Sequence, residues 1–399
     1  TINRRGFVKV PVVESQEGKE SSFRRVAKFL LLIGVEQASK ILPLLPQDQI
    51  ERLMIEIASI RYVDPAEAKV VEGDFGDHTG FYSLKDLYPR FHVTAITHRR
   101  DAVYPATVVG IPPQEDAYIS IATERIFLAP IRLVMQPEIV DMTMPTAGTS
   151  HNIAILSLKS RYTGQAAKVA LGMWSAGQMM FNKYLLLTPE NTIVRNSDHI
   201  ATLLRNCNPN EAIIRSEGIY DVLDHATATC GYGGKMALDL TGVKDNGVCP
   251  TVGQITLPEG VTMSKALVDK WSTLLLFADS SAEVELQAIA GQKEIACNYI
   301  VLFDTRAEGF DAEDLLWLAA ANTDPNRDIA LCNNKIVVDA RLKIPGRKGN
   351  PARFPNVVTS TPEVIEAVDK RWEEYGIGEF IASPSLKYRK LTFNDKAEW

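Results

Sequence analysis

Asn152-Ile153-Ala154-Ile155-Leu156-Ser157-Leu158 is a short, almost unbroken apolar run and a strand candidate. Residues 166–180 follow as a helical stretch, and Tyr184-Leu185-Leu186-Leu187 as a second apolar strand. Strand, helix and strand at this spacing read as α/β architecture. The order then returns. The strand at 184–187 leads through a helix to Asn208-Pro209-Asn210-Glu211, and a strand at 299–303 leads through 311–320 to Asp324-Pro325-Asn326-Arg327-Asp328. An imperfect internal repeat of strand, helix and Pro-Asn turn is expected.

Toward the amino end the pattern changes near 66–70, where glycines begin to crowd, and 91–97 reads as a strand rich in β-branched residues. Before that boundary come three amphipathic helices. The first carries Val26, Phe29, Leu30 and Ile33 and stops at Gly34; the second spans 36–45 and ends before Pro46. The third sets Ile50, Leu53, Met54, Ile57 and Ile60 on one face, with Asp48, Glu51, Arg52 and Glu56 opposite. They should close into a small bundle. At the other end, a Pro/Gly/Arg-rich loop from 346 precedes a helix at 362–375, a tail suited to docking on a neighbouring subunit.

Composition narrows the function. The 399 residues are 46% hydrophobic and 23% charged with a net charge of −6, an ordinary globular balance without the basic stripe that nucleic-acid binding needs. No apolar run is long enough to span a bilayer and the polar start lacks the layout of a signal peptide, so a cytoplasmic location is expected. The five cysteines, an odd number without CxxC spacing, suggest buried thiols rather than a disulfide framework or a zinc knuckle.

The segment richest in chemistry is Glu72-Gly73-Asp74-Phe75-Gly76-Asp77-His78-Thr79-Gly80, in which glycine-flanked carboxylates share one tight loop. If Glu72 and Asp77 point into one cavity, their pKa values part, one acid staying protonated and the other charged, which suits proton delivery to a carbanion-like carbon. Solvated or helix-capping acids are the plainer alternative. His78 beside Asp77 reads either as a base–acid pair or as a hydrogen-bonded turn histidine. His92 and His98, on one strand face, would lie roughly 20 Å apart and cannot share a metal. His151, His199 and His225 are expected to have no ligand-like neighbours. The run Gly231-Tyr232-Gly233-Gly234-Lys235 lacks P-loop spacing and reads as a turn before a strand.

This acid loop resembles the EGPFGDHTG signature of the UbiD decarboxylases, with Asp74 where that family has proline. The resemblance continues through Phe91-His92-Val93-Thr94-Ala95-Ile96-Thr97-His98-Arg99, Tyr104-Pro105-Ala106-Thr107-Val108-Val109-Gly110, Pro112-Pro113-Gln114-Glu115-Asp116 and Pro137-Glu138-Ile139-Val140-Asp141. Gly233-Gly234-Lys235-Met236-Ala237-Leu238-Asp239 is similar to the family's GSKMGLD stretch. The resemblance implies an α/β protein with part of a split β-barrel, flavin-reductase-like, at 69–185, an α/β oligomerisation domain at 186–399 and a helical leader at 1–68. It also implies a carboxy-lyase that reversibly decarboxylates aromatic or acrylic (α,β-unsaturated) acids with prenylated FMN, a hydroxybenzoate quinone precursor being one substrate by analogy. Glu72 matches the acid of the family's ionic network, Asp77 the proton donor, and Lys183 a lysine near the cofactor. The family's divalent metal (Mn), which accompanies the flavin together with K, is held by an asparagine, a histidine and a glutamate. Neither these nor the catalytic arginine is found in residues 1–71, so no metal ligand is assigned and weak decarboxylation or none is expected. Residues 23–68 resemble the N-terminal domain of the flagellar motor switch protein FliG. The competing expectation is therefore a non-catalytic chimera, or an assembly module binding a flagellar ring protein. A homo-oligomer with small-molecule substrates, no nucleic acid and no membrane span completes the reading.

Overall fold

The computed structural model describes residues 22–33, 35–59, 69–91, 93, 95–347 and 349–398. The chain divides into two compact units, one running to Gly73 and taking in Lys85–Ala106, the other comprising Asp74–Leu84 and Thr107–Trp399.

In the first unit, helices α1 (Ser22–Ile33), α2 (Val35–Ile41) and α3 (Gln47–Ser59) occupy the three expected positions. Ala27, Leu30 and Leu53 are fully enclosed, with Phe23, Ala38, Leu42, Leu45 and Ile57 packed on them. Met54, expected on the buried face of α3, is half exposed because Leu53 and Ile57 fill the contact with α1. Ile60 lies outside the described residues. Strands β1 (Lys69–Glu72) and β2 (Asp86–Pro89) pair antiparallel. Among its described residues the expected strand at 91–97 is reduced to a single bridged residue, Ile96, and Phe91, Val93 and Ile96 are exposed, since β-branched composition supplies propensity without fixing how far a pairing extends. His92 lies outside the described residues, and His98 only meets the neighbouring Arg99 carbonyl oxygen.

The second unit holds helix α4 (Glu115–Pro130) and two five-stranded sheets. In the first sheet, β3 (Ile139–Thr143) and β4 (Ile153–Leu158) are followed by α5 (Gln165–Met173) and β5 (Tyr184–Pro189). Helix α6 (Ser197–Asn206), the turn α7 (Pro209–Ala212), β6 (Ile213–Ile219) and β7 (Tyr232–Asp239) complete it. The strand order is β3-β4-β5-β7-β6, with β4, β5 and β7 parallel and both edges antiparallel. In the second sheet, β8 (Thr262–Ser264), β9 (Thr273–Ala278) and β10 (Tyr299–Asp304) lead to α8 (Ala312–Asn322). There follow the turn α9 (Pro325–Asp328), β11 (Ile329–Cys332) and β12 (Lys335–Asp339). Its order is β8-β9-β10-β12-β11, again with three parallel strands between antiparallel edges. The repeat is thus a whole duplicated topology. Even single hydrogen bonds recur: the Met236 amide donates to the Lys183 carbonyl and the Ile336 amide to the Asn298 carbonyl, each at 2.9 Å. Asn208 and Asp324 cap α7 and α9 alike, each followed by proline at the first helical position. Among the described residues no sheet closes into a barrel.

The central strands are enclosed on both faces. All six residues of β4 are buried, which is why it reads as an unbroken apolar run. The helix expected over 166–180 stops at Met173; a 3-10 turn at Gly177–Phe181 follows, with Gly177 left-handed at φ +52°. The tail helix breaks likewise, into α10 (Pro362–Asp369) and one turn at Trp372–Tyr375. All five cysteines are free.

Candidate active site

The acid loop of the second unit is shaped by its own turn and by what clamps it. The Gly80 amide donates to the Asp77 carbonyl at 3.0 Å, and the Ser83 amide to the Phe75 carbonyl at 2.8 Å. The amide of Val358 then donates to the Gly80 carbonyl at 2.9 Å, and the Trp317 indole N–H to the Thr79 carbonyl at 2.8 Å. Gly80 sits at φ +82°, and a Cβ there would stand 2.8 Å from the Trp317 ring, so only glycine fits. Phe81 is 1% exposed and packs on His225, Trp317 and Phe354. Burying that ring contributes on the order of 2–3 kcal/mol to holding the loop.

This clamp presents His78. Its Nδ1 donates to Asp77 Oδ1 at 2.9 Å, and its amide donates to the same oxygen at 2.7 Å. The hydrogen bond is the feature common to a base–acid pair and to a turn histidine. With Nδ1 carrying the proton toward Asp77, Nε2 faces Asp221 Oδ2 at 3.6 Å. His151 Nε2 approaches that oxygen at 3.7 Å, and the two imidazoles lie 5.5 Å apart between ring centres. Asp221 is itself fixed, since its Oδ1 accepts the Leu223 amide at 3.0 Å.

His151 enters from a strained corner: Thr149 and Ser150 are both left-handed, at φ +45° and +69°. Such conformations cost about 1–3 kcal/mol each in non-glycine residues, and they turn the chain into β4 with His151 at the amino ends of the parallel strands. Lys183, immediately before β5, lies at the same end. It is fully buried, and its ammonium donates to Asp224 Oδ2 at 2.8 Å. Lys235 on β7 gives its protons to the carbonyls of Met180 and Asn182 at 2.7 Å and of Ile219 at 3.0 Å. Both ammoniums also lie over the Tyr220 ring, at 5.4 and 5.2 Å.

Burial works to lower the His78 pKa, but the hydrogen bond to Asp77 and the charges of Asp221, Asp77 and Asp116 more than reverse it, and the imidazole is held above its ordinary value. Burial works to raise Asp77, but its bonds to the His78 ring and amide keep the carboxyl below the usual range. In Asp116, burial, reinforced by the charge of Asp77, wins, and the carboxyl is raised. His151 is pushed down to about 3, first by burial and then by the positive charges of His78, Lys183 and Lys235, against the pull of Asp224. Lys235 falls to about 8 through burial and the nearby charge of Lys183.

Of the residues singled out in the sequence, Asp77 and Lys183 lie in the second unit, whereas Glu72 closes β1 in the first. Glu72 is exposed there, opposite Asp86 in register. The two like charges weaken that pairing. Asp221, Asp224 and Asp116 were not legible as site residues, and the expectation that His151 lacks ligand-like neighbours is overturned, because the fold brings it to Asp221 and His78. The available signal was Asp221 and Asp224, three apart in a turn after a strand, just upstream of the glycine-rich run.

Three family models match this chain: the 3-octaprenyl-4-hydroxybenzoate carboxy-lyase Rift-related domain over 56–112, the C-terminal domain of the same enzyme over 117–240, and the FliG N-terminal domain over 21–82. UbiD domain models thus match residues 56–112 and 117–240. The Rift-related and FliG matches overlap at 56–82, a stretch that includes the acid loop, and the UbiD C-terminal match ends just beyond β7. An uncharacterized protein of Aquifex aeolicus is 46% identical over 187 residues, covering 47% of this chain and 38% of the relative. One from Helicobacter pylori strain J99 is 31% identical over 366 residues, covering 86% of this chain and 58% of the relative. The chain thus spans about half the length of the curated relatives it matches. Among solved structures, vanillic acid decarboxylase of Sedimentibacter hydroxybenzoicus in closed form is 26% identical, with 48% of this chain and 40% of that chain covered and a TM-score of 0.40. The UbiD-class enzyme HmfF of Pelotomaculum thermopropionicum in complex with FMN is 20% identical, with 48% and 42% covered and a TM-score of 0.37. Among the described residues, no helix is long and apolar enough to cross a membrane.

Proposed function

We propose that this chain carries the proton-handling part of a UbiD-type carboxy-lyase centre, acting reversibly and without net oxidation on aromatic or α,β-unsaturated carboxylic acids, with prenylated FMN as the cofactor the resemblance implies. The observation that carries the reading is the clamped Asp77–His78 pair on a UbiD-type acid loop, held at the amino ends of β4 and β5 beside His151. Asp77 fixes the imidazole through Nδ1, and the pair moves a proton at the reacting carbon. Lys235, whose charge acts on His151 and whose partners are uncharged carbonyls, supplies fixed positive charge at this end of the strands, which favours a carboxylate substrate.

The lysines do not fit the role of flavin anchor as they stand. Lys183 is enclosed and its ammonium committed to Asp224, while Lys235 spends its protons on three backbone carbonyls. For Glu72 the proposal keeps the role that the resemblance implies, the acid of the family's ionic network. The test is to supply prenylated FMN, manganese and potassium with a panel of aromatic and acrylic acids and to measure CO₂ release. Release that Asp77→Asn removes supports the proposal; release untouched by that substitution overturns the role of the pair.

A second reading is favoured by the FliG match and by the leader itself, which among the described residues buries three fully while Phe29, Leu44, Met54 and Ile55 are exposed. Here the leader binds a flagellar ring protein through that apolar surface. Retention of a purified ring protein by the chain, lost in Phe29→Asp, tests it, and failure to retain it refutes it.

A further inference from the structure

The geometry points to a divalent first-row transition-metal site formed by His78 Nε2, His151 Nε2 and Asp221 Oδ2. The inference does not depend on the proposed reaction; with an ion bound, both His78 nitrogens are committed and Asp77 is the member of the pair left to move the proton. These three ligand atoms lie within 4.8 Å of one another, with Asp221 Oδ2 at 3.6 Å from one imidazole nitrogen and 3.7 Å from the other. Ligand atoms about 2.0–2.1 Å from a tetrahedral ion stand about 3.3 Å apart, so the two nitrogen–carboxylate edges close with shifts of a few tenths of an ångström, and the edge between the imidazole nitrogens, within 4.8 Å, with a shift of at most about 1.5 Å. Two imidazoles and one carboxylate suit zinc, cobalt or iron(II), and three protein donors leave a position open to an outside oxygen ligand.

Independent features point the same way. His78 donates its other nitrogen to Asp77, the carboxylate–histidine arrangement that orients metal-bound imidazoles, and this leaves the Nε2 lone pair aimed at Asp221. Asp221 is oriented by the Leu223 amide on its far oxygen, which turns Oδ2 toward both rings. Asp116, close enough for its charge to act on His78, has a buried Oδ1 with no hydrogen-bond partner among the described residues. Asp221 thus meets both imidazoles and Asp77 backs one of them, a donor set of two nitrogens and one oxygen with a second carboxylate behind it. The set differs from the asparagine–histidine–glutamate ligands that the family resemblance implies.

The test uses the full chain, stripped with chelator and titrated with cobalt(II) alone. One equivalent should bind, with visible d–d absorption of a four- or five-coordinate ion and no thiolate charge-transfer band. His151→Ala and Asp221→Asn should each weaken binding at least tenfold, and Asp77→Asn roughly 10–100-fold with the same stoichiometry. Should a variant fail to fold, X-ray absorption of the zinc-loaded natural chain decides: imidazole scattering without sulfur supports the site. Absence of stoichiometric binding, sulfur ligation, or affinity indifferent to His151→Ala overturns it.

Discussion

Replacing Lys183 with methionine removes one half of a fully enclosed ion pair. The Lys183 ammonium lies 2.8 Å from Asp224, and the side chains are 0% and 4% exposed. Methionine keeps most of the volume, so the main loss is the counter-charge of Asp224, which keeps only the Ala226 amide at 2.9 Å on its other oxygen. Breaking one partner of such a pair costs about 3–5 kcal/mol, because a buried charge is left uncompensated. Asp224→Asn should cost a similar amount, by stranding Lys183 beside Lys235. The double variant removes both charges, so it should cost less than the sum of the single changes, with a coupling of at least about 2 kcal/mol. Guanidinium unfolding followed by tryptophan fluorescence reports the second unit, since all five tryptophans fall at 174 or later in the chain. A loss under about 1 kcal/mol for Lys183→Met, at unchanged denaturant slope, would refute the reasoning.

Gly80→Ala should cost about 2–4 kcal/mol, combining left-handed backbone strain with a contact against the Trp317 ring, and should shift Trp317 emission; natural stability would show that the loop is not clamped. His225 is buried and held at about 4, chiefly by burial, below its unfolded value near 6.5. The unfolded chain therefore binds the extra proton, and stability should fall as pH drops from about 6.5 to about 4, by on the order of 3 kcal/mol from this residue. Urea midpoints at pH 7 and pH 4.5 check this: His225→Gln should flatten the slope, and an equal slope in the variant would sink the assignment. The exposed apolar tail of Ile377, Phe380 and Ile381 should support self-association, read as a mass above the monomer by light scattering at micromolar concentration; a monomeric mass refutes it.

The sequence was most readable where one local rule dominates. Apolar runs announced β4 and β5 because both faces of these strands are covered, and the Pro-Asn turns announced α7 and α9 because their caps are local. The duplication was visible only in fragments, since its antiparallel edges leave no common residue pattern. Of the strand expected at 91–97 the described residues keep a single bridge at Ile96, because propensity does not set the extent of a pairing. The candidate site was half legible: Asp77 and His78 are neighbours in a marked loop, but His151 and Asp221 come to them through strand order, and no spacing in the chain encodes that.

The twofold use of one topology separates the frame from its chemistry. Tyr184 and Tyr299 open equivalent parallel strands, and the residues before them are Lys183 and Asn298. Asn298 carries no charge, and its Nδ2 donates to the carbonyls of Leu204, Arg205 and Cys207, tying down the end of α6. The backbone bond made by its carbonyl to the Ile336 amide nevertheless matches the bond between Lys183 and Met236. An uncharged amide is therefore compatible with this position of the frame, and the second half of the unit serves as a built-in control for the first. Lys183→Asn, judged against it, asks whether the buried charge is there to fold the protein or to be used.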